Sequence, residues 1–93
     1  MELIYRKSFI KEISRLPGNI QNATHAVLRK LESADTLETA GVDYVLIRGY
    51  KAGYNYYRIR IGQYRMGIEY IAPDVIVITI AVRGDIYKTF PPK

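Results

Sequence analysis

The stretch Tyr56 to Tyr70, Y-Y-R-I-R-I-G-Q-Y-R-M-G-I-E-Y, restricts the fold of this chain more than any other. Apolar and basic residues alternate with the period of a β-strand, so Tyr57, Ile59 and Ile61 share one face while Arg58 and Arg60 share the other. Gly62-Gln63 interrupts the pattern with a Gly-x dipeptide suited to a two-residue type I′ or II′ turn. Such a turn sets the register: Ile61 faces Tyr64, Arg60 faces Arg65, Ile59 faces Met66, Arg58 faces Gly67 and Tyr57 faces Ile68. One side of the hairpin is then apolar. The other holds three guanidiniums, with Arg60 and Arg65 directly opposed, and like charges so placed repel. Either the face is solvated and partly neutralised by Glu69, diagonal to Arg58, or it serves an anionic partner.

The rest of the composition agrees with an anionic partner without naming it. Ninety-three residues make one domain, 1–93, and a formal charge of +5 on so small a unit favours nucleic acid, a membrane surface or an acidic protein. Nine tyrosines and no tryptophan interleave with Arg and Lys, which suits base stacking beside phosphate contacts but also suits strands in general. Cysteine is absent, so stability rests on packing, as in a reducing cytoplasm. No early apolar run resembles a signal peptide and none is long enough for a membrane span, so a soluble, cytoplasmic protein is expected. His25, the sole histidine, falls among Gln21, Asn22 and Arg29 on the polar side of a helix and is read as solvated. With no cysteine to join it, neither a metal site nor a cofactor is expected.

Before the hairpin, Glu2 to Arg6 reads as a strand. Ser8 caps a short helix carrying Phe9, Ile10, Ile13 and Leu16, which ends at Pro17-Gly18. Asn19 caps a second helix whose apolar stripe is Ile20, Ala23, Val27, Leu31 and Ala34, widened by Leu28. After an acidic connector over 35–41, Val42 to Ile47 reads as a strand, and R-G-Y-K-A-G-Y-N over 48–55 as a loop. Its Tyr50, Lys51 and Tyr54 either line a polyanion groove or are ordinary loop surface. Val75 to Val82 is an almost unbroken apolar run, expected inside the sheet with both faces covered. Strict alternation puts Ile76, Ile78, Ile80 and Val82 on the helix-covered face and sends Arg83 to the guanidinium face. Residues 84–88 form a turn or short helical segment, followed by an extended tail from Phe90. The fold class is α+β: an N-terminal strand, an αα-hairpin, then three to four mostly antiparallel strands packed on the helices.

This order, together with Y-Y-R-I-R-I-G-Q-Y-R, S-F-I-K-E-I-S-R-L-P, L-I-R-G-Y-K and V-R-G-D-I-Y-K, resembles the RelE/ParE superfamily of prokaryotic toxin–antitoxin modules, and looks most like the RelE branch. The resemblance covers nearly the whole chain. It implies a toxin that enters the ribosomal acceptor site and cleaves the mRNA there, the 2′-OH attacking the adjacent phosphate while basic side chains stabilise the added charge. Carried over by position, the catalytic set is Arg58, Arg60, Arg65, Arg83 and Tyr87. Lys51, Tyr54 and Lys88 are candidates for contacts to RNA or the ribosome. The implied partners are a cognate antitoxin, forming a hetero-oligomer, and mRNA with ribosomal RNA. Many members carry His where this chain has Val82, so an imidazole proton shuttle is missing there. Arginine stays protonated and is a poor base, which leaves Tyr87, Lys51, Glu69 or the ribosome itself for that role. The alternatives are a gyrase-poisoning toxin of the ParE kind and an inactive homologue that still binds antitoxin.

Overall fold

A computed structural model describes residues 1–47 and 55–92. The chain runs β1 (Glu2–Tyr5), α1 (Lys7–Ile13), α2 (Gly18–Ser33), β2 (Tyr44–Leu46), β3 (Tyr56–Ile61), β4 (Tyr64–Ile71), β5 (Asp74–Val82) and a 3-10 turn at Ile86–Lys88. The strands make one five-stranded mixed sheet in the order β1-β5-β4-β3-β2, parallel only between β1 and β5. The expected α+β class is therefore present, with β2 and β1 as its edges.

The central hairpin has the register that its turn dictates, including Arg60 opposite Arg65 and Arg58 opposite Gly67. Gly62 has φ +59° and Gln63 does not have a positive φ, which selects type II′ over type I′. On one face Ile59, Ile61, Met66 and Ile68 join Val75, Val77 and Ile80 beneath Phe9 of α1 and Leu28 and Leu31 of α2. Leu37 and Ala40 from the connector close this core.

The helices depart from expectation in their caps and in the rotation of α2. Arg6 and Pro17 stand at the N-cap positions and neither side chain caps. The buried line of α2 is Thr24, Leu28 and Leu31, with Ala23 exposed. Thr24 is tolerated inside because its hydroxyl donates to the Ile20 carbonyl at 2.8 Å.

Ser8 and Glu12 carry the physical reason for a larger departure in β5. Gly67 pairs with Thr79 but Ile68 pairs with Val77, so Ile78 is an extra residue, a β-bulge. Strict alternation fails there. Ile76 and Ile78 turn away from the helices, Val75, Val77 and Ile80 turn toward them, and the expectation that Ile76 through Val82 share one face is corrected. The bulge frees backbone groups, and α1 satisfies them from side chains one turn apart on a single helix face. Ser8 Oγ donates to the Ile78 carbonyl at 2.6 Å, while Glu12 Oε1 accepts from Thr79 Oγ1 at 2.7 Å and from the Ile80 amide at 3.1 Å. Ser8 thus fastens the sheet instead of capping its own helix.

The opposite sheet face is not the open guanidinium surface that the hairpin alone implies. The chain after β5 folds back over it, so Ile86 and Phe90 are almost wholly buried against Tyr56, with Ile47, Ile78 and Ala81 packed around them. Phe90 meets Tyr56 edge to face, with ring centroids 5.6 Å apart. The expected extended tail is instead a lid on half of the sheet. It covers the strands' middle and leaves the arginines at the turn end.

Candidate nucleic-acid and phosphate site

The turn end of this face gathers the basic residues because three adjacent strands deliver them there. Arg58 and Arg60 come from β3, Arg65 from β4 opposite Ala81, and Arg83 from the end of β5, whose amide donates to the Gln63 carbonyl at 3.0 Å. The bulge leaves Arg83 in phase with Ala81 and hence with Arg65. Tyr87, half exposed on the 3-10 turn, lies beside Arg58, whose guanidinium carbon is 5.9 Å from the ring centroid. All five residues expected to form the catalytic set therefore converge. Lys88 is exposed and pairs with Asp85 at 3.0 Å, and Lys51 and Tyr54 lie outside the described residues.

Arg65 differs from its neighbours. Only 8 % of it is exposed, and its Nη1 donates to the carbonyl oxygens of Gly62 and Tyr64, both at 2.9 Å. The side chain turns back to the hairpin turn and is nearly, but not wholly, out of solvent contact. Burial holds its pKa below the ordinary arginine value, and the guanidiniums of Arg60, Arg58 and Arg83 push in the same direction against a smaller opposing effect of Tyr87. An arginine still remains charged at neutral pH. Among the described residues no carboxylate forms an ion pair with it, since the ion pair present there joins Lys88 to Asp85. This crowd of like charge is a positive hole that an anion would relieve.

Arg58, Arg60 and Arg65 line a concavity of about 170 Å³ together with Val45 and Asp43. Asp43 was not singled out by the sequence. It precedes β2, and the pairing of that strand with β3 brings it there. Glu69, named as a possible base, lines a separate cleft with Tyr5, Arg6, Lys7, Ser8, Tyr56 and Ile78. His25 is exposed on α2 beside Tyr5, Ile10 and Arg29, on the helical side of the molecule. Among the described residues no three His, Cys, Asp or Glu side chains converge as a metal site requires, and no helix is long and apolar enough to cross a membrane.

Over 91 residues, covering 98% of this chain and 100% of the relative, the sequence is 33% identical to Toxin RelE3 of Methanocaldococcus jannaschii. The chain belongs to the RelE family of toxins. A chain of the RelB-RelE antitoxin-toxin complex from Methanococcus jannaschii superposes on this RelE-family fold with a TM-score of 0.77 at 32% identity, over 95% of this chain and 99% of that one. A chain of the archaeal RelE-RelB complex from Pyrococcus horikoshii matches with a TM-score of 0.72 at 19% identity, over 89% and 94%, which is likeness of fold alone. No protein-family model matches the sequence. The fold expected from the resemblance, a RelE-like sheet covered on one face by two helices, is thus the fold of this RelE-family chain.

Proposed function

We propose that this protein is the toxin of a type II toxin–antitoxin pair and that it cleaves mRNA on the ribosome by phosphoryl transfer at the guanidinium face. The observation that carries this reading is the convergence of Arg58, Arg60, Arg65 and Arg83 beside Tyr87 with no carboxylate ion-paired to them among the described residues. In the reaction the 2′ oxygen attacks phosphorus, the bond to the 5′ oxygen breaks, and the products are a 2′,3′-cyclic phosphate and a 5′-hydroxyl. The phosphorane carries more negative charge than the diester. Preorganised guanidiniums stabilise that added charge without reorganising during the reaction, which is the kind of contribution that lowers a barrier.

The side chains divide the work by their mobility. Arg65, anchored to two turn carbonyls, is a fixed donor base for the site; Arg60 is exposed and free to follow the substrate. Arg58 lies against the Tyr87 ring, which presents an aromatic surface for a base next to the phosphate contact. A RelB-type antitoxin is the proposed protein partner. Among the described residues β1 and β2 are the sheet edges, and Val45 and Leu46 on β2 are 46% and 41% exposed, as suits strand addition.

Induction of the protein followed by mapping of mRNA ends, in translating and in ribosome-free extracts, tests the reading. New ends inside codons only where ribosomes translate are the expected result. Gyrase inhibition with intact mRNA would instead make this a ParE-like poison, and absence of growth arrest would make it an inactive antitoxin-binding homologue.

A further inference from the structure

We infer that Asp43 is the group that accepts the 2′-hydroxyl proton, an assignment that rests on the nuclease reading above. The Arg60 amide donates to the Asp43 carbonyl at 2.8 Å, one step beyond the Tyr44–Ile59 pair. The ladder thus places Asp43 directly across from Arg60, and residues so opposed project from the same sheet face. Asp43, Val45, Arg58, Arg60 and Arg65 line one concavity. Three of these are guanidiniums that do not give up their proton and one is valine, so among the described residues of the lining the proton acceptor is the Asp43 carboxylate.

Two features separate this carboxylate from an ordinary cross-strand counter-ion. It is exposed, and none of its oxygens lies within 4.0 Å of an arginine nitrogen among the described residues. The arginines that face it, Arg58 and Arg60 on β3 and Arg65 on β4, therefore leave it free to meet a substrate hydroxyl. Its position along the sheet also matters. In-line displacement puts the attacking and leaving oxygens on opposite sides of phosphorus, so base and proton donor must stand apart. Asp43 stands on the β2 side of Arg58 and Arg60, and the Tyr87 ring, carried back over the sheet by the returning chain, meets Arg58 from outside that lining. Arg58, which lines the concavity with Asp43 and lies beside Tyr87, is the guanidinium common to both groups. The proton leaves O2′ for an Asp43 carboxylate oxygen as the O2′–P bond forms, the P–O5′ bond breaks, and a second proton reaches O5′ from the Tyr87 side.

Single-turnover cleavage of mRNA on programmed ribosomes, with ribosome binding measured in parallel, tests the assignment. Asp43→Asn is expected to slow cleavage by about 100-fold or more while binding is unchanged. Asp43→Glu should restore most of the rate. Substrate in which sulfur replaces the bridging 5′ oxygen makes the proton donor dispensable; it should rescue Tyr87→Phe but not Asp43→Asn. Cleavage by Asp43→Asn at the wild-type rate, or rescue of Asp43→Asn by the sulfur substrate, overturns the inference. Asp43→Asn that melts early while Asp43→Glu folds and remains slow by 100-fold also overturns it, as the carboxylate is then not sufficient. Wild-type protein that leaves ribosomal mRNA intact overturns the nuclease reading itself.

Discussion

The ring of Phe90 rests on Gly67: a β carbon added to Gly67 would stand 2.7 Å from Phe90 Cδ1 and 2.8 Å from Cε1 and Cγ. Glycine here makes room for the returning chain, and that chain carries Tyr87 to Arg58. Gly67→Ala should therefore force Phe90 aside and destabilise the protein by about 1–3 kcal/mol, the usual result of overpacking. The entropic advantage of Ala over Gly in a strand, about 0.5–1 kcal/mol, offsets only part of this. Urea denaturation measures the loss, and an unchanged midpoint would show that the tail yields freely.

Arg65 and Arg60 should separate stability from activity, although they face each other across the hairpin. Arg65→Ala removes the donor to Gly62 and Tyr64 and is expected to cost about 1–3 kcal/mol. Relief of repulsion from Arg60, Arg58 and Arg83 places the value toward the low end. Arg60→Ala, at an exposed position, should change stability by less than about 0.5 kcal/mol. Both should lose mRNA cleavage. Thermal melting of the two purified variants checks the contrast, and equal melting temperatures would mean that Arg65 does not brace the turn.

An anion-seeking site should be visible without ribosomes. Sulfate or a short RNA oligonucleotide at 100 times its dissociation constant would stabilise the fold by about 2.7 kcal/mol. The shift in melting temperature should vanish in Arg58→Ala/Arg60→Ala and, for the oligonucleotide, shrink with added sodium chloride. An equal shift in wild type and the double variant would place the anion elsewhere.

Glu12 fastens α1 to the β5 bulge, so Glu12→Ala should leave the Ile80 amide and the Thr79 hydroxyl without their acceptor. A loss of about 1–3 kcal/mol is expected. Amide hydrogen exchange gives the local readout: Ile80 should exchange faster in the variant, and faster than its neighbours do. Protection of Ile80 at the wild-type level would assign the bulge to the strand alone.

Tyr57 sets an alkaline limit to stability. Burial first, then the charges of Glu38, Tyr44 and Tyr70, raise its phenol pKa above the ordinary value. A raised folded pKa means that the unfolded chain loses the proton first. The associated stability is present below about pH 10 and declines as pH rises through the folded pKa. Tyr57→Phe should make the alkaline decline shallower in equilibrium denaturation between about pH 9 and pH 11. A decline of equal slope in the variant would move the effect to other groups.

The parts of this fold that were readable in advance are those set by neighbouring residues. The hairpin register followed from alternation and from Gly62, because side-chain direction and turn geometry are local properties. That Arg58, Arg60, Arg65, Arg83 and Tyr87 come together was legible from strand positions and from the family resemblance. Exposure was not, because whether a side chain on a given face meets water depends on what later packs over it. Arg65 lies on the face that alternation assigns to it, yet it is buried there.

Residues distant in sequence decided the remainder. The amphipathic stripe located α2 but not its rotation, since Thr24 gains a place inside only by bonding its own helix. Nothing in V-I-V-I-T-I-A-V announces a bulge at Ile78; it exists because Ser8 and Glu12, some 70 residues earlier, supply partners for the backbone it frees. Asp43 escaped notice for a related reason. The eight-residue stretch 48–55 leaves the register of β2 on β3 undetermined, and only the assembled ladder sets Asp43 opposite Arg60. The sequence by itself thus determined the hairpin, its facing arginines and the family. The tertiary structure decided which of those arginines is buried, how β5 is phased and which carboxylate stands among them, because hydrogen bonding and packing between remote segments have no local periodicity to betray them.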